Sequence, residues 1–316
     1  MRRWKSILMA LALLAAMMPA FPAAAEGEKL TVYASFYPMY DFASKVGGDK
    51  VTVVNMMPPG TDAHSWEPTA SDIIGLENAD VFVYNGAGME QWVDKVLASL
   101  SNKDLKVVNA SENAALLEGD AHHHDEDDDQ GEETVDHGEE EETGIDPHVW
   151  LAPEQAKVQM KAIAEALSLA DPDNVEYYTG NYDTWAAELD ALDAEFQQAL
   201  APLANKQIVV SHQAFGYLCA AYGLEQVGIE GLTPDYEPSP ARMAEIIDFV
   251  KEHQVTTIFF EELASPKVAE TISSATGAVT DTLSPIASLT QEQIAAGEDY
   301  FSMMRKNLAA LVKALQ

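Results

Sequence analysis

The sequence predicts an α/β protein of two lobes, each a mainly parallel sheet flanked by helices, joined by one long backbone helix. Three observations lead there. Short Val-rich apolar runs alternate with helical patterns in the first half of the 316 residues, the same rhythm returns in the second half, and one long amphipathic stretch lies between them. Strands that alternate with helices form parallel sheets covered on both faces.

In the first half, Leu30–Phe36, Val51–Met57, Asp80–Asn85 and Lys106–Asn109 read as buried strands bounded by Gly, Pro and Asn. Helical patterns lie near Tyr37–Val46, Thr69–Glu77 and Met89–Ser99, and another helix follows the Pro-punctuated loop GIDPHVWLAP. In the second half the strands are Gln207–Ser211, Gln226–Glu230, Thr256–Glu261 and Ala278–Thr282. Their helices lie near Gln213–Tyr222, Pro240–His253, Pro266–Thr276 and Gln291–Leu315.

Between the halves, Val175, Tyr178, Tyr182, Trp185, Leu189, Leu192, Phe196 and Leu200 recur at steps of three and four, one face of a helix. Asp171 or Asp173 is placed to cap its start, and Pro202 to end it. At the helical rise this 173–201 segment spans about 42 Å, long enough to run behind both lobes. The predicted organisation is therefore a first lobe over 26–172, the linking helix over 173–201 and a second lobe over 202–316.

The N-terminus, MRRWKSILMALALLAAMMPAFPAAAEGEK, has a basic start, an apolar run from Ile7 to Met18 and small residues at Ala23 to Ala25. It reads as a signal peptide over 1–25, too short in its apolar run for a spanning helix of about 18 residues. The expectation is export across the cytoplasmic membrane into the periplasm or cell envelope. Cys219 is the only cysteine. It excludes an intramolecular disulfide, leaves no lipid-anchor cysteine behind the signal, and reads as a small core residue.

The formal charge is −34. Such a field repels nucleic acid and attracts cations, so nucleic-acid binding is excluded as a role. The charge is densest over 118–143, predicted to be a disordered loop because it has almost nothing apolar to bury. This loop holds His122, His123, His124 and His137, half of the eight histidines. It is either a solvated spacer or a weak cation trap.

Four histidines remain. His253 sits at a helix end and reads as a surface residue. His64 follows the second strand and a tight PPGTDA turn, His148 sits in GIDPHVWLAP, and His212 directly follows the strand QIVVS. Open α/β sheets bind ligands beyond the carboxyl ends of their strands, and His64, His148 and His212 all stand where they could feed one such crevice. Asp281, at the end of the last strand, is a fourth candidate. Three imidazoles and one carboxylate suit four-coordinate Zn²⁺. The pair Glu261-Glu262 reads either as a general base or as a group that holds a histidine ring. No HExxH, G-x-S-x-G or P-loop is present, which disfavours an enzyme.

The segments YASFYPMYDFASKVGGD, MPPGTDAHSWEPTASDIIGLENADVFVYNGAGME, DPHVWLAP, VVSHQAFGYLCAAYGL, IFFEELASPKVAETIS and GEDYFSMMRKNLAAL carry a resemblance over nearly the whole mature chain. It resembles the metal-binding solute-binding proteins of ABC importers, the zinc- and manganese-uptake cluster of ZnuA/TroA type. The resemblance implies two α/β lobes with metal between them, ligands at His64, His148, His212 and Asp281, and a monomeric protein that hands a zinc ion to an ABC permease. Glu262 is the alternative to Asp281, either as ligand or in support of a ring. Histidine rather than carboxylate at 212 favours Zn²⁺ over Mn²⁺, and zinc members often carry a His-rich acidic loop where 118–143 lies. A manganese receptor of the same fold and, more remotely, a zinc-dependent hydrolase are the alternatives.

Overall fold

The computed structural model describes residues 29–119, 144–234, 238–263 and 265–316. The first lobe runs β1 (Leu30–Ala34), α1 (Tyr37–Gly47), β2 (Val51–Asn55), α2 (Ala70–Glu77), β3 (Val81–Tyr84), α3 (Val93–Ser99), β4 (Lys106–Asn109) and α4 (Pro153–Ala170). Then comes the long helix α5 (Val175–Leu200). The second lobe runs β5 (Gln207–Val210), α6 (Gly216–Tyr222), β6 (Glu225–Gly228), α7 (Pro240–Glu252), β7 (Thr257–Phe260), α8 (Lys267–Thr276), β8 (Val279–Thr282), α9 (Gln291–Ala295) and α10 (Tyr300–Leu315).

Each lobe has one parallel four-stranded sheet, ordered β2-β1-β3-β4 and β6-β5-β7-β8. The chain reverses direction across each sheet between the first and third strands of the lobe. The crevices outside the carboxyl ends of β1 and β3, and of β5 and β7, are therefore where side chains from successive loops meet.

The two sheets share one apolar core. Val32, Phe42 and Met160 from the first lobe, Leu192 and Phe196 from α5, and Ile208, Leu218 and Met304 from the second belong to one buried cluster. Smaller clusters lie under α7 and α8 in the second lobe and under α2 and α3 in the first. Full burial of a side chain such as Phe196 contributes roughly 1.5–3 kcal/mol.

Two details differ from the sequence expectation. Neither Asp171 nor Asp173 caps α5, which starts from a short 3₁₀ turn over Pro172–Asn174. Asp171 instead accepts hydrogen bonds from Asn174 and from the Tyr178 hydroxyl. The single helix expected over 291–315 is two. Gly297 takes a left-handed φ of 78°, and Asp299 starts a new helix by exchanging hydrogen bonds with Ser302. A reciprocal cap of this kind satisfies two orphan donors and so favours a restart over continuation.

Candidate metal centre

Three loops bring histidines into one cleft. After β2 the chain turns at Gly60, whose N–H reaches Leu289 O and Ser288 Oγ of the second lobe at 3.1 and 3.0 Å. Asp62 then accepts from the His64 and Ser65 backbone N–H groups, a turn that presents the His64 ring. His148 immediately precedes the 3₁₀ turn Val149–Leu151 that leads into α4. His212 stands two residues beyond β5, and Glu261 stands one residue beyond the neighbouring β7.

The rings converge through their Nε2 atoms. His64 Nε2 is 3.2 Å from His148 Nε2, and His212 Nε2 is 3.3 Å from His148 Nε2. All three candidate donor atoms lie within 4.8 Å of one another. Two nitrogens each 2.0–2.1 Å from zinc at a tetrahedral angle sit about 3.3–3.4 Å apart. The spacing is thus already that of a zinc site. His148 and His212 are buried, while His64 closes the group from the more exposed side.

The far sides of two rings are held by carboxylates. Asp146 Oδ1 accepts both the backbone N–H and Nδ1–H of His148, each at 2.9 Å. Glu261 Oε1 accepts from His212 Nδ1. A ring that donates from Nδ1 keeps its lone pair on Nε2, which is the tautomer a metal needs. Two such lone pairs then face each other across 3.3 Å, a repulsive arrangement that a shared cation relieves.

The proton affinities follow. Burial lowers the His64 imidazole to about 3, helped by the neighbouring His148 and His212. Burial likewise holds His148 well below its usual value, with the His212 charge acting in the same direction. At His212 burial lowers and is outweighed by Glu261, so this ring is raised and takes the proton when one enters the group. Burial lifts the Asp146 carboxyl to about 7 against the His148 backbone N–H and the His212 charge. Its Oδ1 already accepts two N–H groups, so a proton there belongs on Oδ2 and the His148 tautomer is unchanged.

The cleft around the rings has a volume of about 540 Å³ and is walled by both lobes, from Thr61 and His64 on one side to Ser211, Glu230 and Ser284 on the other. It is much larger than a bare ion, so water has room to complete a coordination shell.

The structure brings together His64, His148 and His212 and places the fourth candidate elsewhere. Asp281 is inside the edge strand β8, in register with Phe259, and its carboxylate pairs with Lys313 of α10 at 2.7 Å. The Lys313 hydrogen bond lowers that carboxyl further. A residue within a strand keeps the face its pleat dictates, and here that face looks toward the last helix. Asp281 thus stands in an ion pair on β8, apart from the three histidines. Glu262 lines the cleft, yet its carboxylate accepts from Gln293, and it is Glu261 that holds a histidine ring. The histidines at 122, 123, 124 and 137 lie outside the described residues. Asp146 went unread in the sequence although D-x-H is a usable signal, a carboxylate two residues before a histidine with its loop kinked by Pro147.

A family model described as "Zinc-uptake complex component A periplasmic" matches residues 32–314. The zinc-binding lipoprotein AdcA of Streptococcus pneumoniae is 41% identical over 284 residues, which covers 90% of this chain and 55% of that protein. The chain thus spans about half the length of that streptococcal relative. The high-affinity zinc uptake system protein ZnuA of Bacillus subtilis is 41% identical over 290 residues, 92% of this chain and 89% of that one. Among solved structures, the Zn(II)-bound ZnuA-like domain of Streptococcus pneumoniae AdcA superposes with a TM-score of 0.77 at 38% identity, covering 91% of this chain and 99% of that chain.

Proposed function

The chain belongs to the zinc-uptake component A family, and from that premise we propose that it is a receptor that captures Zn²⁺ outside the cytoplasmic membrane and delivers it to an ABC permease. We assign His64, His148 and His212 as the protein ligands. The observation that carries the reading is the convergence of three Nε2 atoms at zinc spacing, two of them with tautomers fixed by carboxylates. Zinc is cargo here, so the site needs neutral imidazoles that bind tightly and let go when the loops around them part.

Three imidazoles without a carboxylate at the centre favour Zn²⁺ over the harder Mn²⁺. A zinc hydrolase would need three ligands and an open fourth place, which a site of three histidines leaves room for. It would also need a carboxylate free to act as base beside that place. Among the carboxylates that line the cleft, Glu261 is committed to the His212 ring, Asp62 to backbone N–H groups and Glu262 to Gln293, which supports cargo over catalysis.

We propose further that the protein acts as a monomer; Cys219, the single cysteine of this sequence, is buried in α6 and is not placed to carry a lipid. The streptococcal relative, by contrast, is named a lipoprotein. The His-rich acidic run would add weak zinc sites of its own. Its deletion over 121–142 should remove those sites and spare the tight one.

The test is calorimetric titration of the mature protein with Zn²⁺, with Mn²⁺ as competitor, for the wild type and His212→Ala. One tight zinc site, resistant to Mn²⁺ and lost in the variant, is expected. Tight binding that survives the substitution would refute the ligand assignment, and preference for Mn²⁺ would give the site to the harder ion.

A further inference from the structure

His148 is the centre of the triad, since both other Nε2 atoms lie within 3.3 Å of its own. Its ring is fixed by Asp146, and the question is what fixes Asp146. The answer lies in the first turn of α6, five residues along the chain from His212.

The Tyr217 side chain is buried and its hydroxyl bonds twice. It accepts the Leu117 N–H at 3.0 Å and donates to Asp146 O at 3.0 Å. Leu117 and Asp146 are already paired, with Asp146 N–H donating to Leu117 O at 2.9 Å. Next to them Gly119 N–H donates to Gly144 O at 2.8 Å, and Glu118 and Ile145 form an antiparallel bridge. Tyr217 thus clips both strands of a short neck whose second strand runs into Asp146 and His148.

Gly216 supplies the second, independent observation. A Cβ built on it would overlap Asp146 Oδ2. Asp146 cannot swing aside cheaply, because Oδ1 holds two N–H groups of His148. From the other side, Asn85 Nδ2 donates to Pro147 O at 3.0 Å, and Asn85 is itself held by Gln159. The Asp146–His148 segment is therefore pinned from the first lobe by Asn85 and from the second by α6.

We propose that Gly216 and Tyr217 are positioning residues for zinc binding. They seat Asp146, and so set the aim of His148 relative to His212, which lies on their own segment of chain. This rests on the receptor reading above. Neither residue touches the ion, and both act through the carboxylate that orients its central ligand. Removal of partners that orient a metal-bound histidine typically lowers metal affinity 10–100-fold.

The experiment compares wild type, Gly216→Ala, Tyr217→Phe and the control Gly180→Ala, whose added methyl meets open space on α5. Each is read by Zn²⁺ affinity from chelator competition, by the visible spectrum of the Co²⁺-loaded protein and by the zinc-free melting temperature. The expected result is zinc affinity about 10–100-fold weaker in Gly216→Ala. Its cobalt spectrum should be altered, and its melting temperature should fall because the added methyl crowds a carboxylate that cannot swing aside cheaply. Tyr217→Phe should shift the cobalt spectrum in the same direction even where it also melts lower. The control should match wild type in affinity and spectrum. Unchanged affinity and spectrum in both α6 variants, beside a wild type that binds zinc tightly, would overturn the positioning role and leave the receptor reading intact. A wild type that binds no zinc at the triad would overturn both. Should Gly216→Ala fail to fold, Tyr217→Phe decides by its spectrum.

Discussion

At the scale of single residues, the site is a contest between a proton and a metal for the same lone pairs. His212 is the ring where the proton wins first, because Glu261 raises it against the lowering effect of burial. A group raised above its ordinary value of about 6.5 stays protonated to higher pH, so loss of zinc affinity on acidification should begin above pH 6.5. Chelator competition between pH 8.5 and 5 measures this, and an affinity that stayed flat would contradict it. In Glu261→Gln the onset should move to lower pH while zinc binds about 10–100-fold more weakly at pH 8. Asp281→Asn makes the opposite case. The lost ion pair is at the surface, so stability should change by less than about 1 kcal/mol. Zinc affinity should not change at all, and a clear loss would restore Asp281 as a ligand. The three histidines were legible in the sequence because each follows a strand or a Pro-marked turn. The place of Asp281 was not legible, because a one-residue difference, inside a strand or beyond its end, decides which way a side chain looks.

At the scale of elements, periodicity located every strand of both sheets to within a residue or two, and it located the long helix. What it did not resolve were ends set by local hydrogen bonds, as at Asp171 and at the restart before α10. Those depend on which of several polar residues reaches its partner, and composition does not order them. Helix α5 buries Leu189, Leu192, Phe196 and Leu200 along the predicted face, while Val175 at its start stays exposed. Phe196 also stacks on Tyr222 of α6 with ring centroids 5.0 Å apart. Phe196→Ala should therefore cost about 3–5 kcal/mol, read as a lower urea midpoint at unchanged slope. A smaller cost would mean that the cavity collapses.

At the scale of the whole molecule, the two lobes have the same strand order but use it differently. In the second lobe the crevice between β5 and β7 holds His212 and Glu261, the metal side. In the first lobe the matching crevice between β1 and β3 holds Ser35, Asn85 and the half-buried Glu90, whose carboxylate accepts from the Ser35 hydroxyl and the Asn85 N–H. Through Asn85 that crevice steadies Pro147, next to His148. One lobe's crevice provides a ligand and the other provides support. This division was not visible in sequence, since Ser, Asn and Glu after strands carry no mark that separates scaffold from site. Because the ligands come from both lobes, zinc should stabilise the entire fold. At free zinc a thousandfold above its dissociation constant, unfolding should become harder by about 4 kcal/mol. A melting temperature indifferent to zinc would mean that zinc does not distinguish the folded chain from the unfolded one, against a site assembled from both lobes.

The core common to both lobes also governs how the chain comes to be folded. Phe42 near the start packs edge-on against Tyr300 with centroids 5.0 Å apart, and Lys45 pairs with Asp299 at 3.0 Å. The Tyr300 hydroxyl donates to Trp150 O at 2.7 Å. The first lobe thus borrows part of its interior from the last sixteen-residue helix. A chain that emerges N-terminus first cannot close that interior until its final residues are out. Completion of either lobe is thus delayed by architecture alone until the last helix is in place.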